Sequence, residues 1–379
     1  MKRGSLIFVE NEQILTLGVE LELQVLGKDT LLLTPRAQEI IEHAHSKKLK
    51  PEFFQSTLEA VTGICQTVQD AENDLRQTLD LVRTTAERLN LKISSTGTHP
   101  EADYRDRIVT PSPRYHLLMD RNQWIIRRMA VYGMHVHLGM KSGDDCIRFH
   151  NFFLNFVPHF LALSASSPFW QQMHTGLASS RPTMYEAMPT SGMPYTVKNW
   201  KQFDKMFQAL VRTGSIAGMS DLWLDLRPSP QLGTLELRIF DEPATLAEAL
   251  AIVSYVHLLG MWYEEHQDEW ERENKVLPRW ILRENKWRAL RYGLKGEMVL
   301  ATNKTTVQIK ENIQYWMDRL SPYAKKFNYE NYFSVLEEIV NRGNSAERQL
   351  GVFQQTDNLH EVVKHNVKEF ELGQPNWSI

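Results

Sequence analysis

Three short apolar runs in this chain carry ionisable residues two positions apart. Glu20 and Glu22 alternate with Leu17, Val19, Leu21 and Leu23; His135 and His137 alternate with Met134, Val136 and Leu138; Glu236 and Arg238 alternate with Leu235, Leu237 and Ile239. Residues i and i+2 of a strand point to one face, so each run reads as a strand with one apolar face and one face bearing acid, imidazole or guanidinium. An adjacent run adds Asp225 and Arg227. Taken singly, each pair is also what an antiparallel strand shows to water, and an exposed Glu–Arg pair stabilises little. Gathered on one sheet, the carboxylates would repel one another unless cations lay between them. Hard divalent cations take oxygen ligands of this kind, and carboxylates outnumbering imidazoles with no cysteine beside them favour Mg²⁺ or Mn²⁺ over structural zinc. Mg²⁺ held by a few carboxylates and by substrate phosphates is the pattern of ATP-using sites, where Arg227 and Arg238 would neutralise phosphoryl charge. No P-loop motif and no GxGxxG occurs, so ATP would bind on a sheet face and not at a helix N-terminal loop.

The elements that must position these residues are legible in outline. Alternation predicts strands over 15–24, 134–138, 222–227 and 235–240, the last two joined as a hairpin by the Pro- and Gly-bearing stretch 228–234. Helical spacing covers 71–91, and the apolar stretch 149–163 reads as a buried helix. Thr245 and Glu248 have capping-box spacing and open a long helix to about residue 271, followed by helices over 279–292, 306–320 (with Thr305 and Gln308 as another box), 330–341 and 358–370. Strands that need one covered face, and many helices to cover it, argue for an α+β fold with an antiparallel sheet. With no repeat and no Gly/Ser linker, one catalytic domain over 1–379 is expected: mixed strand and helix over 1–243, mainly helical over 244–371, and a loosely held tail over 372–379.

Composition bounds the function. The 379 residues include 43 Lys plus Arg against 46 Asp plus Glu, a formal charge of −3, and no basic block, so the electrostatic footprint of nucleic-acid binding is missing. Cys65 and Cys146 lie far apart and form no CxxC pair, which makes the cytoplasm the default compartment. The N-terminal apolar run breaks at Glu10 and Glu12, and 149–163 is shorter than the ~20 apolar residues of a span, so neither a signal peptide nor a membrane partner is expected.

The runs TLGVELELQVL (16–26), GMHVHLGM (133–140) and DLRPSPQLGTLELRIFD (225–241) resemble the bacterial carboxylate–amine ligases called type 2 glutamate–cysteine ligases. STLEAVTGIC (56–65), GTHP (97–100), SASSPFWQ followed by TGLASSRP (164–182) and ENKWRALRYGL (284–294) look like the same family, in the same order, so the resemblance spans most of the chain to about residue 294. It implies the glutamine-synthetase-like fold, an antiparallel sheet curved into a funnel that holds ATP and Mg²⁺ or Mn²⁺. It further implies Glu20, Glu22, Glu59, His135 and Glu236 as metal ligands, Arg238 facing the transferring phosphoryl group, and Arg227 holding nucleotide phosphate or a substrate carboxylate. The same resemblance offers Arg181 more weakly for that binding. By their own surroundings Arg181, His99 and His137 divide evenly between substrate binding and a plain structural contact. The implied substrates are ATP, glutamate and an amine such as cysteine, in glutathione biosynthesis, and a homodimer is compatible with the chain. Two rivals stand beside this reading. A metal-dependent amidohydrolase also begins its site with an HxH pair, and an inactive family member would serve as a binding module. A cupin lacks its glutamate after His137.

Overall fold

The computed structural model describes residues 6–273, 277–302 and 305–378. Seven strands form one antiparallel sheet: β1 (Leu17–Gly27), β2 (Leu49–Pro51), β3 (Thr57–Val61), β4 (Leu91–Ser94), β5 (Met134–Gly139), β6 (Leu226–Ser229) and β7 (Thr234–Leu237). Their spatial order is β6-β7-β5-β1-β3-β2, with β4 also paired to β1. The register sorts the residues by chemistry. Glu20 lies opposite His135, Glu22 opposite Glu59, His137 opposite Glu236, and Glu236 opposite Arg227. Directly opposed residues share a face, so the ionisable set falls on one side of the sheet. Leu17, Val19, Leu21, Leu23, Val136, Leu138, Leu235 and Leu237 fall on the other, none more than 2% exposed. A slip of one residue in any pairing would exchange the two sets, which is why the apolar face fixes where the chemistry stands.

Helices pack around the sheet, most of them on its apolar face. They are α1 (Val68–Arg88), α2 (Gly143–Phe153), α3 (Val157–Ser164), α4 (Leu246–Glu273), α5 (Arg279–Tyr292), α6 (Ile309–Phe327), α7 (Glu330–Arg342), α8 (Ser345–Thr356) and α9 (Leu359–Leu372). Val68, Leu75 and Val82 of α1, Phe149 and Phe153 of α2, and Leu250, Val253 and Val256 of α4 join the sheet's leucines in one apolar cluster. Each such side chain contributes roughly 1.5–3 kcal/mol on burial. The Thr245 hydroxyl donates to Glu248 at 2.9 Å and accepts the Glu248 N–H at 3.2 Å, a side-chain N-cap at the start of α4. Residues 246–272 of α4 are long and apolar enough to cross a membrane by composition, but 89% of the apolar window is buried inside this fold, as in a core helix.

Several expected elements are redrawn. β1 begins at Leu17 because Leu15 sits at φ 59°, a left-handed entry into the strand. The hairpin pairs only 226–229 with 234–237; Trp223 and Leu224 pair instead with Ser191 and Gly192, so the chain bends at Asp225 and removes it from the ionisable face. Pro228 is tolerated because β6 is an edge strand. The stretch 149–163 is two helices with a 3₁₀ turn over Leu154–Phe156, since Pro158 takes the first turn of α3. The box at Thr305 and Gln308 does not form: Thr306–Gln308 pairs with Glu297–Val299, and α6 starts at Ile309 with no side-chain cap. Helix α8 is not among the helices expected from the sequence, although Asn344 and Glu347 make a full capping box before it. The tail is held, with the Asn376 N–H donating to Glu369 at 2.7 Å and the Trp377 indole donating to the Gly343 carbonyl at 3.2 Å.

Candidate active site

The ionisable face of the sheet floors a cavity of about 320 Å³. Glu20, Glu22, Glu59, His135, His137, Arg181, Arg227, Glu236 and Arg238 all line it, and Phe53, Ile126, Met129, Tyr185 and Trp223 wall it. β1 supplies Glu20 and Glu22, β3 supplies Glu59, β5 both histidines, β6 Arg227 and β7 Glu236, with Arg238 one residue beyond its end. Arg181 comes from the short helix Arg181–Tyr185 and is 5% exposed. Its guanidinium occupies the space that a side chain at Gly133 would fill, and donates to the Arg238 carbonyl at 3.2 Å. Besides Asp225, already placed off this face, one residue picked from the sequence lies elsewhere: His99. Its Nε2 bonds the Leu31 carbonyl at 2.9 Å and its Nδ1 accepts the Glu101 N–H at 3.2 Å, so both ring nitrogens are used within the fold. Burial pushes that ring down to about 4, which leaves it neutral.

The contacts on the floor are close. His135 Nδ1 donates to Glu20 Oε2 at 2.8 Å, and His137 Nδ1 bonds the Thr234 hydroxyl at 2.9 Å. With each Nδ1 so held, each Nε2 is left among the carboxylates. His137 Nε2 lies 3.3 Å from Glu20 and 4.0 Å from Glu236, and His135 Nε2 lies 3.8 Å from Glu22. Arg227 clasps Glu236 through two bonds of 2.8 and 3.0 Å, and Arg238 donates to the same carboxylate. Glu22 accepts the Gly133 N–H at 2.6 Å, and its own N–H donates to Glu242 at 3.0 Å.

Burial and charge divide these carboxylates into two kinds. Burial pushes Glu236 up, but Arg238, Arg227 and the two imidazoles outweigh it and hold the group below the usual carboxylate range. Glu20 is likewise held low by His135 and His137 against its burial. Glu22 goes the other way, pushed up to about 7 by burial and by the charge of Glu52, and Glu59 is raised well above the ordinary value by burial, Glu20 and Glu52. The floor thus has carboxylates for which the chain supplies too little positive charge.

A divalent ion fits that deficit. The Nε2 atoms of His135 and His137 are buried without a hydrogen-bond partner, and metal-ligating histidines typically present one nitrogen while the other is held by a carboxylate or similar group. Ligand atoms of Glu20, Glu59 and His135 lie within 4.8 Å of one another, as do those of Glu20, His137 and Glu236, with Glu20 common to both groups. Mixed carboxylate and imidazole donors with no thiolate suit Mg²⁺ or Mn²⁺.

Sequence reasoning missed Glu52, which lines the cavity and is raised chiefly by burial. It lies two residues beyond Lys50, and Lys50 is opposite Glu59, but three residues of β2 show no alternation to read. Arg114 and Tyr115, in a helix over Pro113–Asn122, also line the cavity without a sequence signal. Trp223 is both a wall of the cavity and packed against the apolar cluster of Leu118, Ile126, Tyr185 and Met188.

The family model for glutamate–cysteine ligase family 2 matches residues 16–365 of this chain. A Bdellovibrio bacteriovorus protein provisionally named glutamate–cysteine ligase 2 is 41% identical over 360 residues, covering 94% of this chain and 95% of its own. A Gloeobacter violaceus protein of the same provisional name is 38% identical over 353 residues, covering 92% and 95%. Among solved structures, a Francisella tularensis glutamate–cysteine ligase in complex with AMP matches with a TM-score of 0.68 over 97% of this chain and 91% of that one. At 11% identity that match carries the fold.

Proposed function

The chain belongs to glutamate–cysteine ligase family 2, a family of ligases that form C–N bonds, and from that premise we propose that its cavity joins the γ-carboxylate of glutamate to an amine at the expense of ATP. The observation that carries this reading is the face itself: buried carboxylates and two imidazoles with unpartnered Nε2 atoms, flanked by Arg227 and Arg238. Glu20, Glu22, Glu59, His135 and Glu236 are the residues that would hold Mg²⁺ or Mn²⁺, and His137 belongs with them by its distance to Glu20 and Glu236. The bound ion supplies neutralisation of phosphate oxygens.

The reaction then needs positioning and charge more than covalent help from the protein. The glutamate carboxylate oxygen attacks the γ-phosphorus of ATP, ADP leaves, and the amine nitrogen displaces phosphate from the acyl phosphate to leave an amide and a proton. Arg238, anchored on Glu236, is aimed at the cavity to stabilise the phosphoryl group in transfer. Arg227, held in a bidentate clasp, and Arg181, with a buried Nε that has no partner, receive nucleotide phosphate or a substrate carboxylate. The apolar wall of Phe53, Ile126, Met129 and Trp223 supports the exclusion of water from the acyl phosphate. The test is ADP release by the full chain with Mg²⁺ and glutamate over a panel of amino acids and amines. Amine-dependent ADP release with formation of the amide is expected; metal-dependent hydrolysis of an amide without ATP would overturn the reading.

A further inference from the structure

Behind the part of the wall made by Tyr185 lies a buried charge cluster that the proposed chemistry does not use. Lys286 of α5 is 3% exposed, and its ammonium donates to both oxygens of Asp225, at 2.8 and 2.6 Å, and to Glu186. Asp225 is fully buried and accepts the Tyr185 hydroxyl at 2.7 Å. The main-chain carbonyl of the same Asp225 accepts the Arg238 N–H at 2.8 Å. Gly192, at φ 85°, has no side chain to occupy the space that Glu186 fills. Lys286 Nζ and Arg181 Cζ lie 5.6 and 5.3 Å from the centroid of the Tyr185 ring. Tyr185 and Arg238 line the cavity, and Lys286, Asp225 and Glu186 do not.

A buried ammonium is tolerated only where it is paired, and a buried carboxylate that loses its cation takes up a proton or draws in water. Removing Lys286 would therefore disturb Asp225, and Asp225 reaches the cavity twice: through the Tyr185 hydroxyl and through the backbone at Arg238. We propose that Lys286 is a positioning residue, which fixes the Tyr185 wall and the main chain from which Arg238 projects by neutralising Asp225 and Glu186. What Arg238 does there rests on the ligase reading above; that Lys286 holds it in place does not.

The test uses the full chain and the double variant Lys286→Met with Asp225→Asn, which deletes the charge pair while keeping its shape. Hydrogen exchange read by mass spectrometry is expected to quicken about tenfold or more at the Arg238 amide and across residues 181–186, with β1, β3 and the melting temperature near wild type. Amine-dependent ADP release is expected to fall about tenfold in kcat. Unchanged exchange at 238 and 181–186 overturns the proposal, and so does equal quickening throughout the chain, which marks an ion pair of purely structural role. A wild-type protein that releases no ADP with any amine removes the ligase reading, and the exchange result still decides the positioning claim. Should the double variant not fold, Tyr185→Phe removes only the hydroxyl bond to Asp225 and is read the same way.

Discussion

Two buried charge clusters in this molecule are built to opposite ends. In the helical layer, Arg348 of α8 bonds Glu369 of α9 at 2.7 and 3.2 Å and Glu248 of α4 at 2.8 Å, with His365 at 3.4 Å from Glu369. One cation there ties three helices and bonds both carboxylates directly, so that Glu369 is held low although burial still raises Glu248. On the floor of the cavity, Arg227 and Arg238 both turn to Glu236, while Glu22, Glu52 and Glu59 are raised by burial and by neighbouring carboxylates. The difference teaches how a fold can hold charge without closing it off. A cluster whose carboxylates each bond a cation of the chain locks elements together, and one with carboxylates left without such a bond waits for a ligand to bring the charge.

Substitutions should separate the two. Glu20→Ala and Glu22→Ala remove proposed metal ligands that the apolar core does not need, and turnover should drop on the order of 10³-fold with the fold intact, as judged by steady-state kinetics and circular dichroism. In the metal-free protein Glu22→Ala should hold or raise the melting temperature, because it relieves carboxylate repulsion. Glu236→Ala should differ, since it strands Arg227 and Arg238 and costs stability as well as activity. Near-wild-type turnover in any two of these variants would break the metal assignment. Arg348→Met is the converse case: it leaves Glu248 and Glu369 buried without their cation, at a cost of about 3–5 kcal/mol in urea unfolding, with kcat of the folded protein close to wild type. A large loss of kcat at full stability would erase the distinction between the clusters.

Smaller effects sharpen it. Arg238→Lys replaces a planar fork by a point charge, and kcat should fall about 10²-fold with ATP affinity less affected. If the pair with Glu236 were only structural, kcat would not move. Acid stability reports on the buried histidines, those of the packed region among them. Burial pushes His150, His159 and His257 down to about 4, 3 and 4, well below an unfolded histidine near 6.5. The unfolded chain then binds protons that the native state refuses, so stability is present above about pH 6.5 and is lost as pH falls toward 4, by up to about 1.4 kcal/mol per pH unit for each residue. Urea midpoints at pH 7, 5.5 and 4.5 read this slope, and equal midpoints would contradict it.

The sequence exposed the floor because its carriers are strands long enough to alternate. Glu20, His135 and Glu236 sit in runs whose apolar partners announce the period, and register then followed from the need to bury those partners. Glu52 stayed hidden just past the end of a three-residue strand, and Asp225 was misplaced because a bend after Leu224 cannot be read from alternation. Glu59 came from resemblance; its own surroundings allowed helix or strand. His99 stands in a motif of the resemblance, GTHP, but its ring is used to tie loops together. The helical region read well where caps were plain, at Thr245, and failed where Thr305 offered a box that pairing with Glu297–Val299 overrode. Long-range partners such as Lys286 with Asp225 leave no local pattern at all.

The central claim is that the ionisable face is a divalent-metal site, and Glu20 is its most exposed point because it belongs to both groups of ligand atoms. The most direct measurement is Mn²⁺ binding by electron paramagnetic resonance, with and without ATP, in wild type and in Glu20→Gln. Saturable Mn²⁺ binding that ATP strengthens, and that Glu20→Gln weakens at every site on the floor while Arg348→Met leaves it unchanged, is the predicted result. Mn²⁺ binding of equal stoichiometry and affinity in wild type and Glu20→Gln would contradict it.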